Sequence, residues 1–148
     1  MPVAAVPEPP AESVESVALI LSTTRTASGE GSAVLLAARF ATVVFEVVVS
    51  SLGITGNLDV IVQQSLDGTN WEDLAHFATL GPAGPTQVQS ATFPRRERDA
   101  GPELHTWSDG TLAAGTVVSG ARAIGRRFRA RWSISGGSWV FQVLAHVL

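Results

Sequence analysis

From residue 16 onward, apolar and polar side chains alternate almost one by one, and this period of two decides what the chain can become. A strand turns successive side chains to opposite faces, whereas a helix repeats every ~3.6 residues. The clearest case is "ATVVFEVVVSS" (41–51), dense in valine around Phe45; β-branched and aromatic residues suit a pleated, half-buried surface. "SVALILS" (16–22) places Val17, Leu19 and Leu21 on one face, and "LDVIVQQS" (58–65) sets Leu58, Val60 and Val62 against Asp59, Ile61 and Gln63. Further strands are expected in "WEDLAHFATL" (71–80), in "TQVQSATF" (86–93) and briefly in "TVVSGARAIG" (116–125). "GSAVLLAARF" (31–40) fits either a strand or a short irregular segment. The chain ends in "RRFRARWSIS-GG-SWVFQVLAHVL", which reads as a hairpin turned by Gly136-Gly137. On its first arm Phe128, Ala130, Trp132 and Ile134 share one face. On its second arm Trp139, Phe141, Val143, Ala145 and Val147 do.

Short strands at close intervals, with no sustained helical period, predict an all-β fold: a single antiparallel β-sandwich, jelly-roll-like, with a β-barrel as the alternative. The 148 residues make one domain, and 45% apolar content supplies its core. Residues 1–15 stand apart. Pro2, Pro7, Pro9 and Pro10 fix φ and remove donors, so an extended N-terminal arm is expected ahead of a sandwich over 16–148. The acidic, proline-rich start lacks the pattern of a secretory signal, and the run 41–49 is broken by Glu46, so a soluble chain is expected.

Chemistry-bearing motifs are few. There is no Cys, which excludes thiol catalysis and thiolate metal sites. In "SLDGTNWEDLAHF" (65–77), Asp67, Asn70, Glu72 and Asp73 supply oxygens, but Gly68 falls at the wrong place for a calcium loop. The segment reads instead as a turn in which Asp67 binds backbone amides, Gly68 or Asn70 takes a left-handed conformation and Trp71 folds back onto the sheet. His105, near Asp99, Glu103 and Asp109 in the long loop 94–115, is the one place resembling an acid–base cluster. No nucleophile elbow, P-loop or dinucleotide fingerprint accompanies it, so no enzyme, cofactor or metal is expected. Arg127, Arg129 and Arg131 share one strand face, in a stretch of five arginines within ten positions that contains no acid. Arginine suits bidentate capture of carboxylates, so this row is a candidate for docking an acidic protein surface. The net charge of −3 argues against nucleic acid. Trp107, in "HTWSDG", is the tryptophan placed for contact with a ligand, and through it a carbohydrate- or receptor-binding module is an alternative.

Ser65, Asp67, Gly68 and Trp71, followed by Arg129, Arg131, Trp132, Ile134, Ser135 and Gly136, resemble a pattern in small β-sandwich proteins from the structural gene clusters of tailed bacteriophages. That resemblance implies a virion component: a capsid decoration (cement) protein, or a minor head or tail protein. It implies a partner in the major capsid protein or another virion protein, a location on the phage head surface, and a homo-oligomer, with a trimer favoured. Pro7, Pro9 and Pro10 of the arm, with Arg127, Arg129 and Arg131, would then be the partner-binding residues.

Overall fold

The computed structural model describes residues 15–36, 41–51, 55–82, 87–94, 109–118 and 124–148. The expected arm, with Pro7, Pro9 and Pro10, lies outside the described residues, as do Trp107 and the His105 cluster except for Asp109. Among the described residues ten strands are formed: β1 (Glu15–Arg25), β2 (Gly29–Glu30), β3 (Val34–Leu35), β4 (Thr42–Ser51), β5 (Leu58–Ser65), β6 (Glu72–His76), β7 (Gln87–Pro94), β8 (Thr116–Val117), β9 (Arg127–Ile134) and β10 (Trp139–Val147). They make two antiparallel sheets. The first runs β1-β10-β4-β7; the second runs β2-β9-β5-β6-β8, with β3 also paired to β9.

Period-two patterning explains the layers. Val43, Phe45, Val47 and Val49 of β4 and Trp139, Phe141, Val143, Ala145 and Val147 of β10 face inward. They meet Val60 and Val62 of β5 and Phe128 and Ala130 of β9 in one core. The rings of Phe45 and Phe128 cross edge to face at 5.0 Å, and those of Trp132 and Phe141 at 5.9 Å. Such geometry sets a positive ring edge on a negative ring face.

The expected terminal hairpin does not form. β9 belongs to the second sheet and β10 to the first, so the 135–138 segment is an arch that carries the chain between layers. A two-residue hairpin turn of the expected kind needs positive φ at both central residues; here Gly137 has φ 80° and Gly136 does not. The energetic reason lies in the patterning. A hairpin would lay the two apolar faces side by side on one sheet, still needing a cover. An arch turns them toward each other, so that each buries its partner. The indole Nε1 of Trp139 donates to the Gly136 carbonyl at 2.8 Å and braces the arch.

A second arch, between β4 and β5, stacks on the first. The Ser135 amide donates to the Asn57 carbonyl at 3.0 Å, and the Asn57 amide donates to Ser135 Oγ at 2.8 Å. Gly56 sits at φ 77°, and a Cβ there would come within 2.5 Å of the Gly136 nitrogen. Both the dihedral and the contact therefore demand glycine.

β1 also departs from simple alternation. Its pairing with β10 slips between Ala18 and Ile20 and again between Ile20 and Thr23. The bulge turns Leu19 and Ile20 both inward and leaves Leu21 72% exposed, so Leu21 does not share the core face with Leu19.

Two outcomes test this architecture by urea denaturation. Trp139→Ala, at a fully buried site, is expected to lose ~3–5 kcal/mol. Gly56→Ala is expected to lose more than ~1 kcal/mol from strained φ and contact together. Gly81→Ala, whose added Cβ meets only Asn57 Oδ1 at 3.8 Å, is expected to lose nothing.

Candidate functional site: the polar outer face of the second sheet

Of the residues singled out in the sequence, Arg127, Arg129, Arg131, Trp71, Asp73 and Asp109 meet at the outward face of β5, β6 and β9. β9 sets Arg127, Arg129 and Arg131 opposite Ser65, Gln63 and Ile61 of β5, and β2 sets Glu30 opposite Arg131. The arginine row thus lies on one face, as its spacing predicts, but it is not bare. Arg129 is 13% exposed; its Nη1 lies 3.3 Å from Glu30 Oε1 and its Nη2 3.6 Å from Asp109 Oδ2. Arg131 donates from Nη1 to Asp109 Oδ1 at 2.8 Å and approaches Glu30 Oε2 at 3.7 Å. Arg127 donates to the Leu66 carbonyl at 3.0 Å. Two acids therefore answer Arg129 and Arg131, and the face presents far less free positive charge than the sequence row implies.

Gln63 is the hub of this face. It is fully buried, and its side-chain amide donates to Asp73 Oδ1 at 2.7 Å and to Asp109 Oδ1 at 2.6 Å. Its Oε1 accepts from Arg129 Nε at 2.8 Å. A neutral amide can give both protons to carboxylates while accepting from a guanidinium, and so joins opposite charges without adding one. Asp73, 2% exposed, accepts further from the amides of Gly110 (2.9 Å), Thr111 (2.9 Å) and Leu112 (3.1 Å). These bonds tie the segment 109–112, where the long loop returns, to the sheet. His76 extends the tie: its ring nitrogens lie 2.7 Å from the Leu112 carbonyl and 3.1 Å from Asp59 Oδ1. β8 then pairs with β6 at Val117–Ala75 and Thr116–His76.

The turn motif behaves as its residues predict, with one change. β5 and β6 form a true hairpin. Asp67 Oδ1 accepts from the amides of Thr69 and Asn70, each at 2.8 Å, Asp67 Oδ2 accepts from Asn70 Nδ2 at 2.7 Å, and Gly68 has φ 81°. The Asn70 amide, then the Thr69 amide and the Asn70 side chain, hold the Asp67 carboxyl well below the usual carboxylate range. Trp71 folds back onto the sheet, but onto its outer side and not into the inter-sheet core. It is 8% exposed, and the Arg129 guanidinium lies 4.2 Å from its ring centroid. This stacking of a cation on an indole fixes the plane of Arg129 for its bonds to Gln63 and the acids.

Sequence reasoning missed Gln63, Glu30 and the loop-holding role of Asp73. The available signal was "QQS" inside an otherwise apolar strand, since a buried amide in a strand requires partners. The inward neighbour Gln64 obeys the same rule: it donates to Glu72 Oε2 at 3.1 Å and accepts from the Gly125 amide at 2.9 Å. No group of three or more metal-ligating side chains occurs among the described residues. The arrangement is a rigid ionic clamp, able to hold a loop and to present the outer atoms of Arg127, Arg131, Glu30 and Asp109 in fixed positions. Compared with known proteins, the chain matches no family model, no curated protein and no solved structure.

Two measurements check the clamp. Asp73→Ala is expected to cost ~3–5 kcal/mol, because it strips the buried partner from Gln63 and three amides; amide exchange at Gly110–Leu112 should accelerate with it. Asp67, in contrast, is expected to stay ionised on acidification. Its folded pKa is lowered, so its contribution is complete above the unfolded value of about 3.9 and is lost only as pH falls through the depressed folded value. A carboxyl carbon NMR titration showing an ordinary Asp midpoint would contradict the loop geometry.

Proposed function

We propose that this protein is a structural, adhesive component of a tailed-phage virion, a decoration protein of the head shell, built as a jelly roll. The strand order supports the fold part of this reading. The chain crosses between the layers at most connections, staying within the second sheet at β2–β3, β5–β6 and β8–β9, and the order β1-β10-β4-β7 over β2/β3-β9-β5-β6 supports a double Greek-key, jelly-roll reading. The residues that carry the resemblance to phage sandwich proteins, Asp67, Gly68, Trp71, Arg129, Arg131 and Trp132, lie in the hairpin, the ionic clamp and the arch strand that hold this fold together.

The observation that carries the adhesive part is the outer face of the first sheet. Val44 and Val48 of β4, Val88 of β7, and Val140 and Leu144 of β10 all point away from the core and keep some exposure, Val88 as much as 58%. Val48 stands directly opposite Val88, and the aliphatic positions are interrupted by Gln142, Ser90, Thr92 and the Glu46–His146 pair at 3.4 Å. An aliphatic sheet face with few charges suits burial against another protein. The second sheet differs, since its outer face is charged and holds segment 109–118. One face is thus closed and the other is available for adhesion. On a repeated lattice, modest contacts of this kind are amplified by high local concentration.

Co-sedimentation of purified protein with shells of its cognate major capsid protein is the direct test. Wild type is expected to pellet with the shells. Val48→Asp with Val88→Asp, which places two charges on the exposed face and none in the core, should reduce pelleting at least about tenfold. Retention of full binding by a folded double variant would remove this face from the interaction, and failure of wild type to bind would remove the virion reading.

A further inference from the structure

Arg25, the first basic residue in the chain, has a setting unlike that of Arg129 and Arg131. Its guanidinium stacks 4.5 Å from the Trp132 ring centroid and 5.8 Å from that of Phe141. One nitrogen, Nη2, donates to the Leu21 carbonyl at 3.2 Å. Nε is buried with no hydrogen-bond partner, and no carboxylate pairs with Arg25 among the described residues. A guanidinium fixed by two rings, with no anion among the described residues, is a site with half its chemistry in place.

The surroundings supply the other half. A cleft of about 360 Å³ opens between β1 and the short strands β2 and β3, walled by Leu19, Ile20, Val34, Trp132 and Arg25. That volume is near the lower end for ligand sites, room for one or two side chains. Glu30 also lines the cleft, but Arg129 and Arg131 lie 3.3 and 3.7 Å from its carboxylate and offset its charge. Among the described strands β1 ends its sheet, its pairing with β10 slips between Ala18 and Thr23, and residues 18–21 of that stretch line the cleft. Leu21 stands exposed at the rim.

We propose that this cleft binds an extended peptide segment of a partner protein, an Asp or Glu carboxylate meeting Arg25 while an adjacent aliphatic side chain enters the apolar walls. A small inorganic anion would answer Arg25 and leave the half-exposed Val34 and Trp132 wet. An uncharged apolar ligand would leave the half-buried cation unanswered. A strand-like peptide satisfies both and can add backbone bonds to β1, whose second side no other described strand pairs. The proposal rests on the adhesive reading only in assigning the peptide to a partner; the site stands on its own geometry.

The test is an NMR titration of the full chain with two blocked tripeptides, acetyl-Val-Glu-Val-amide and its isostere acetyl-Val-Gln-Val-amide. The Arg25 Nε–H and Trp132 Nε1–H signals are expected to shift with the Glu peptide, which should bind about tenfold more tightly than the Gln peptide. Arg25→Gln should erase that preference. Should that variant fail to fold, the two-peptide comparison on wild type decides alone. Equal affinity for the two peptides, or no shift at these two groups up to about 10 mM peptide, would overturn the proposal. Tighter binding of acetyl-Val-Val with its free C-terminal carboxylate would overturn the side-chain assignment. Tighter binding of a peptide with the sequence of residues 1–14 would overturn the assignment to a partner and make the occupant a second copy. Loss of shell binding with intact, Arg25-dependent peptide binding would count against the virion reading and leave the site standing.

Discussion

The mutual burial of β9 and β10 across the two layers is the interaction on which the rest of this structure depends. Each is an interior strand: β10 lies between β1 and β4, and β9 between β5 and the β2/β3 edge. Each carries an unbroken inward row, Phe128 and Ala130 on one side and Trp139, Phe141, Val143, Ala145 and Val147 on the other. Because every other long strand pairs with one of these two or with their neighbours, the arch at 135–138 sets the spacing and alignment of the whole sandwich. Its tight contact with the arch at 55–57 explains why the glycine at 56 has no substitute.

Once the core is closed, the outer faces are free to differ, and they do. The second sheet gathers Glu30, Gln63, Asp73, Asp109, Arg129 and Arg131 into one continuous network. Partly buried charges are costly unless each has partners, and a half-satisfied network would be worse than an apolar surface. Gln63 resolves this by bonding to three charged groups while carrying none. The network's consequence is mechanical: segment 109–118, which ends the long loop, is held against β6 through Asp73, His76 and the two residues of β8.

The first sheet keeps a largely aliphatic face, and the cleft beside β1 holds a guanidinium that no described carboxylate pairs. Both features support the proposed adhesive role. In that proposal they divide the labour. The valine face offers area with little directional demand. The Arg25 cleft offers one charged anchor with defined geometry, the kind of contact that selects a partner.

Much of this was legible in the chain. Alternation located β4, β5, β7, β9 and β10, and Asp67, Gly68 and Asn70 specified the turn from β5 to β6, because strand periodicity and turn chemistry are local properties. "RRFRARWSIS-GG-SWVFQVLAHV" shows the limit: its two apolar faces were readable, but whether they lie side by side or face to face depends on the other strands competing to pair with each. The arginine row shows it again. Nothing near Arg127, Arg129 and Arg131 in the sequence is acidic, and the carboxylates that meet Arg129 and Arg131 come from Glu30 and Asp109 on distant segments. Arg25 looked unremarkable until the bulge in β1 and the rings of Trp132 and Phe141 surrounded it. Local pattern alone thus determined the inward rows of β4, β5, β9 and β10 and where the chain bends, but not the bulge that turns Ile20 inward and Leu21 out. Only the tertiary structure decided which layers they join and which charges find partners, because sheet order and ion pairing are settled by contacts between residues far apart in the chain.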